Sequence, residues 1–374
     1  MKRFAAVIAG GAGERFWPIS RIARPKHLCD ITDAGASLLE QTFRRLESVV
    51  PAENIFVVTN REQIGEIRRI CPFIPAEKII AEPARRDTLA AVGLSTLVAE
   101  FAAQKIDGNG GADGNDDALV AVLPADQVIR DVAGFRKTAE KAFETAARGN
   151  FLVTVGIAPT RPATGFGYIR AGKEFVAENA GADEPKVFDA ERFHEKPDAA
   201  TAREYVAHGA FFWNTGMFFG KASSLRGAIA RFAPSCAAVF EKIRAAVAAG
   251  TPPADALAEN YPQLEKKSFD FAVMEKADNV KVVPAAFDWD DVGTWTALER
   301  HFAADADGNV FRGSVFAENS QKNLVFDATR SRATVLLGAE NLIVVHTADA
   351  TLICDREHAE MLKALVRKLP DALR

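Results

Sequence analysis

The chain has 374 residues, 48% hydrophobic and 26% charged, and a formal charge of -4 at neutral pH. That length exceeds what one core spans, and the composition, with no run of about eighteen apolar residues, excludes disordered, collagen-like and membrane-spanning classes. So small and evenly spread a charge excludes a nucleic-acid surface, and any anionic ligand must be met by local positive charge.

Residues 1–9, MKRFAAVIA, have the order of a secretory leader, but the apolar run is short and passes straight into glycines, so it reads as a buried strand. Apolar, β-branched runs recur at 4–9, 54–59, 78–83, 118–124 and 151–157, with amphipathic stretches between them such as Leu38–Val49 and Thr88–Gln104. This alternation predicts βαβ units: a Rossmann-like, doubly wound α/β fold on a mixed, mostly parallel sheet, with ligands at the carboxyl ends of the strands. The stretch Asp107–Asp117 is polar and glycine-rich, which predicts a disordered surface loop or insertion.

After residue 300 the texture changes to short β-rich pieces separated by turn residues, and then to an amphipathic helix from Arg356 to Lys368. Residues 1–300 are therefore expected to form the larger domain. Residues 301–374 form a small β-rich one, for which a short stack of parallel β-coils, a left-handed β-helix, is a form that fits. The cysteines Cys29, Cys71, Cys236 and Cys354 lie far apart, which argues against a zinc site or a disulfide scaffold and for the cytosol.

The first strand ends in Gly10-Gly11-Ala12-Gly13-Glu14-Arg15, with Lys26 following. Glycines let backbone N–H groups approach a polyphosphate, and Arg15 and Lys26 add full charges. The loop lacks the GKS or GKT of a Walker motif, and Phe16 stands where a dinucleotide fold needs its third glycine. Farther on, Asp126 lies just past an apolar strand, where a doubly wound sheet presents catalytic groups. Mg²⁺ needs few carboxylates, so one more from a distant loop, Asp291, would suffice. Taken alone, each of these residues also fits a turn or a helix cap.

The segment GGAGERFWPISRIARPKHL resembles the signature of nucleotidyltransferases that act on sugar 1-phosphates, especially the mannose-1-phosphate guanylyltransferases. The likeness continues through EPARRDTLAA (82–91), LPADQVI (123–129), FGYI (166–169), FHEKP (193–197), FFWNTGMF (211–218), SFDFAVMEK (268–276) and FDWDDVGTW (287–295). It implies a GT-A-like nucleotidyltransferase fold that joins GTP to mannose 1-phosphate and releases pyrophosphate, with Mg²⁺ on Asp126 and Asp291. Asp290 takes the variable position of that motif, and Gln127 stands where the family pattern has histidine.

By the same resemblance, Gly10, Gly11 and Gly13 hold the nucleotide, Arg15 and Lys26 neutralise its phosphates, and Glu82, Asp87 and Thr88 read the base. Glu195, Asn214 and the backbone of Gly167 hold the sugar, and Lys196 its phosphate. The same chemistry with another nucleotide or sugar, or a binding subunit without turnover, is the alternative. Some relatives fuse an isomerase domain, and this chain is expected to lack it. Their small C-terminal domain packs on the catalytic domain or builds a homodimer.

Overall fold

The computed structural model describes residues 1–11, 13–107, 117–176 and 185–374; the stretch expected to be a disordered loop lies outside these apart from its two ends. Among the described residues nine strands form the main sheet: β1 (Arg3–Ala9), β2 (Ile55–Asn60), β3 (Ile79–Glu82), β4 (Leu119–Pro124), β5 (Leu152–Ile157), β6 (Tyr168–Glu174), β7 (Phe188–His194), β8 (Phe211–Lys221) and β9 (Val280–Pro284). Their order is β3-β2-β1-β4-β8-β5-β9-β7-β6, with β8 also pairing to β6.

The half of the sheet from β3 to β4 is parallel. Continuous apolar runs predict this, because such strands are covered on both faces. Phe4, Ala6, Phe56 and Val58 turn toward the helix Asp87–Asp107. Ala5, Val7, Ile55 and Val57 turn toward the helices Leu38–Leu46 and Val132–Ala147.

The other half departs from the mostly parallel expectation. β8 runs antiparallel to β4, β5 and β6, β7 runs antiparallel to β6 and β9, and β5 with β9 is the parallel pair there. β6 pairs antiparallel with β7, an arrangement that requires no crossover helix. In β8, buried and half-buried residues alternate over Phe211–Gly216, and burial is then continuous from Met217 to Gly220. The first half of this strand has one open face and the second has none.

Because β8 runs against β4, pairing Val122 with Phe218, Asn214 is carried beyond the carboxyl end of β4. A bridge ties the segments that follow β4 and β9: the Val128 N–H donates to the Asp290 carbonyl at 2.9 Å, and the Asp290 N–H donates back at 3.0 Å.

Six further strands follow: β10 (Val310–Arg312), β11 (Ser314–Glu318), β12 (Leu324–Asp327), β13 (Ala333–Leu337), β14 (Leu342–His346) and β15 (Thr351–Asp355). β10, β12 and β14 stack in parallel, as do β11 and β13, while β15 closes the stack antiparallel to β14. Buried Asn323 donates its Nδ2 to Asn309 Oδ1 of the preceding turn at 3.1 Å, satisfying polar groups between coils. The terminal helix is divided into a 3₁₀ stretch, Arg356–Met361, and an α-helix, Leu362–Val366. Asp355 Oδ1 accepts from the Glu357 N–H at 2.7 Å, which tightens the first turn.

One apolar cluster spans both regions: Phe16, Trp17 and Trp295 pack with Phe326, Leu362 and Val366. Among the described residues no helix is long and apolar enough to cross a membrane.

Candidate active site

The glycine loop leaves β1 beside the end of β4. Gly13 has φ of 62°, and a Cβ there would stand 2.6 Å from the Lys26 backbone nitrogen, so glycine alone lets the loop fold onto that residue. Lys26 is buried, and its ammonium meets Asp126 Oδ2 at 2.9 Å and the carbonyls of Asp291 and Val292 at 2.8 and 3.2 Å. All three of its donors are thereby used. Arg15, Lys26, Asp126, Gln127 and Asp291 line one cavity of about 310 Å³, together with Glu14 and, from the terminal helix, Lys363.

The Val128–Asp290 bridge brings the two aspartate segments to that cavity. Asp290 itself turns elsewhere: Arg300 donates to both of its oxygens at 2.8 Å, and His301 Nε2 lies 3.1 Å away. Burial opposes its charge, but these bonds hold its carboxyl well below the usual range. Asp291 is pushed up to about 6 by burial, with the charges of Asp290 and Asp126 adding to it and Lys26 opposing. At Asp126 burial also favours the neutral form, yet the Lys26 ammonium prevails and keeps the carboxyl below its ordinary value. Gln127 donates from Nε2 to the Thr215 carbonyl at 2.5 Å, and its buried Oε1 has no partner.

The residues expected to hold a sugar gather at the far end of the same strand ends. The Asn214 N–H donates to the Gly167 carbonyl at 2.8 Å, and a Cβ on Gly167 would stand 2.4 Å from Glu195 Oε2. Lys196 Nζ pairs with Glu195 Oε1 at 2.8 Å. Asn214 Nδ2 donates to Asp270 Oδ1 at 2.7 Å, and Asp270 begins a π-helical turn, Asp270–Met274. Burial, and then the nearby Glu195 charge, push Asp270 up to about 7. The same turn leads to Glu275, whose Oε1 accepts from the Glu195 N–H at 2.9 Å.

Glu82, Asp87 and Thr88 are engaged within the protein. Glu82 is buried under Gly10, its Oε1 accepts from the Tyr261 hydroxyl at 2.6 Å, and burial raises its carboxyl. Asp87 accepts from the Thr88 N–H at 2.8 Å at the head of the helix Asp87–Asp107. Thr88 Oγ1 accepts from the Phe269 N–H at 2.8 Å, and Thr88 shares a cavity of about 170 Å³ with Gly11 and Asp126.

Residues 4–308 match the Nucleotidyl transferase family, and residues 319–369 match the MannoseP isomerase/GMP-like beta-helix domain. The chain is 34% identical to the mannose-1-phosphate guanylyltransferase of Escherichia coli K12 over 98% of its own length and 73% of the relative's. It belongs to the mannose-1-phosphate guanylyltransferase family. The family member from Salmonella muenchen is 33% identical over 98% of this chain and 73% of its own. The crystal structure of mannose-1-phosphate geranyltransferase from Thermus thermophilus superposes with a TM-score of 0.80 at 33% identity, covering 98% of this chain and 99% of that one.

Within this guanylyltransferase framework, sequence reasoning missed two residues. Asp270 stands in the quoted segment SFDFAVMEK, and its signal is a lone carboxylate in an apolar run. Lys363 has no local signal, because it reaches the cavity from the other region of the chain.

Proposed function

We propose that the chain transfers the guanylyl group of GTP to α-D-mannose 1-phosphate, giving GDP-mannose and pyrophosphate. The observation that carries this reading is one cavity at the strand ends lined by Gly13, Arg15, Asp126 and Asp291, with the Val128–Asp290 bridge joining the two aspartate segments. Family membership supports the choice of GTP and mannose 1-phosphate.

An oxygen of the sugar phosphate attacks the α-phosphorus in line. A new O–P bond forms as the bond to the β-phosphate oxygen breaks, and the electron pair leaves with pyrophosphate. A phosphate monoester, with a second pKa of about 6, is largely dianionic at neutral pH, so no general base is required and catalysis is positioning with charge neutralisation. The amides of Gly10, Gly11 and Gly13 and the guanidinium of Arg15 receive the triphosphate. Lys26 keeps Asp126 ionised and fixed. Lys196 aligns the sugar phosphate, and Glu195, Asn214 and the Gly167 backbone hold the hydroxyls. Glu82, Asp87 and Thr88 face the base.

Asp126 and Asp291 suit Mg²⁺, which takes one or two carboxylates and completes its shell with phosphate and water oxygens. When bound, the ion neutralises charge on the phosphates. Cys29, Cys71, Cys236 and Cys354 are all free thiols, which supports a cytosolic enzyme. A homodimer is supported by Phe316, Val335 and Leu337, large apolar side chains exposed on β11 and β13.

Pyrophosphate release from mannose 1-phosphate, measured with GTP, ATP, UTP and dTTP separately and with and without Mg²⁺, tests the reading. Mg²⁺-dependent release chiefly with GTP is expected. Preference for another triphosphate overturns the base assignment, and silence with all four overturns the sugar assignment or the activity.

A further inference from the structure

We infer that Lys363, on the terminal helix Leu362–Val366, binds the pyrophosphate end of the nucleotide, so that the small C-terminal region supplies a cation to the catalytic cavity. The inference rests on the proposed nucleotidyl transfer for the identity of this ligand.

Three positive side chains line the cavity: Arg15, Lys26 and Lys363. The ammonium of Lys26 is consumed by Asp126 and two carbonyls, and its side chain is only 6% exposed. It steadies the site but has no donor left for the terminal phosphates, which carry the largest negative charge of a triphosphate. Arg15 is 44% exposed and makes one long bond, 3.3 Å to the Gly293 carbonyl, with Glu360 4.0 Å away. Arg15 and Lys363 are therefore the lining cations with donors to give.

Lys363 is 45% exposed and stands 3.8 Å from Glu14 Oε2, beyond hydrogen-bond distance. Glu14 is an odd residue for an anion-binding loop, since its carboxylate repels the ligand. Arg367 answers that charge, donating to both Glu14 oxygens at 3.2 and 3.3 Å. With Glu14 neutralised by Arg367, the Lys363 ammonium can turn from it to a phosphate. The backbone that carries Lys363 is fixed by its neighbours, for Leu362 and Val366 are both buried in the cluster shared with Phe16 and Trp17.

The test is calorimetric binding of pyrophosphate in the presence of Mg²⁺ to the wild type, Lys363→Ala and Lys363→Arg, with KM values for GTP and mannose 1-phosphate alongside. Loss of a charge-assisted bond predicts that Lys363→Ala weakens pyrophosphate about tenfold or more. GTP KM rises in parallel, mannose 1-phosphate KM stays within about twofold, and Lys363→Arg restores most of the affinity. Pyrophosphate affinity in Lys363→Ala within about twofold of the wild type overturns the inference. So does a loss that comes with a lower melting temperature and is not restored by arginine, because that pattern marks a structural role. A wild type that does not turn over mannose 1-phosphate would sink the sugar reading, while the binding comparison would still decide the role of Lys363.

Discussion

Lys26 and Asp126 form a pair in which the lysine is buried and the aspartate is nearly half exposed, at 6% and 45% of their side-chain surfaces. Water screens such a pair, so its value lies in geometry more than in stability. Asp126→Asn keeps the shape and removes the charge. Turnover is expected to fall by about 10²–10³-fold, the usual effect of losing a preorganised electrostatic group, while the melting temperature moves by only a few degrees. Full turnover in that variant would remove Asp126 from the proposed metal site.

Asp270 gives a pH signature of opposite kind. Its carboxyl sits near 7 in the fold against an ordinary 3.8, because burial and the Glu195 charge outweigh the Asn214 bond and Lys196. The folded chain thus keeps a proton that the unfolded chain releases. That contribution to stability is complete below about pH 4 and is lost as the pH rises toward 7. Asp270→Asn never ionises, so its melting temperature relative to the wild type should climb between pH 4 and pH 7 and then level off. A difference that does not vary with pH would refute the raised carboxyl.

At the scale of elements, the device that builds the site is the short bridge between Val128 and Asp290, reinforced from behind by Arg300 and His301. Arg300→Ala releases the Asp290 side chain and loosens the segment that carries Asp291. Turnover is expected to drop about tenfold, as when an outer-shell partner of a metal ligand is removed, with GTP affinity less affected. Steady-state kinetics would show it, and an unchanged kcat would mean that the bridge alone suffices.

Elements are legible in the sequence in proportion to how completely they are buried. The strands β1, β2, β4 and β5 are nearly continuous apolar runs, readable because both faces are covered, while the short edge strand β3 is half-buried. The antiparallel half is not, since β6 and β7 carry charged residues among half-buried ones, as in the buried-to-exposed run of Tyr168–Glu174. The amphipathic stretch Thr88–Gln104 is readable as a helix, and the structure starts that helix at Asp87. The amphipathic pattern predicts one continuous terminal helix, but its first turns are 3₁₀ because Asp355 caps them tightly. Of the candidate site, the glycine loop and the aspartate at a strand end have local signals. The partnership of Asn214 with Asp270 and the reach of Lys363 arise from tertiary packing between segments far apart in sequence.

At the scale of the whole molecule, the apolar cluster joining Phe16 and Trp295 to Phe326 and Val366 makes the two regions depend on each other. Neither face could be uncovered without exposing large aromatic surface. Heating is therefore expected to give one cooperative calorimetric transition, with calorimetric and van't Hoff enthalpies in agreement. Two separable transitions would show that the regions fold independently.

The indole N–H of Trp17 donates to the Leu373 carbonyl at 2.8 Å, across 356 residues of sequence. Translation therefore makes Trp17, beside the glycine loop, 356 residues ahead of its partner Leu373. A nascent chain that already holds all nine strands of the main sheet still has Phe16 and Trp17 uncovered, an apolar patch of the kind that chaperones recognise. Phe16 and Trp17 should then stay uncovered until Leu362, Val366 and Leu373 have emerged. The order of translation would thus delay this wall of the cavity until the helix Leu362–Val366 has emerged.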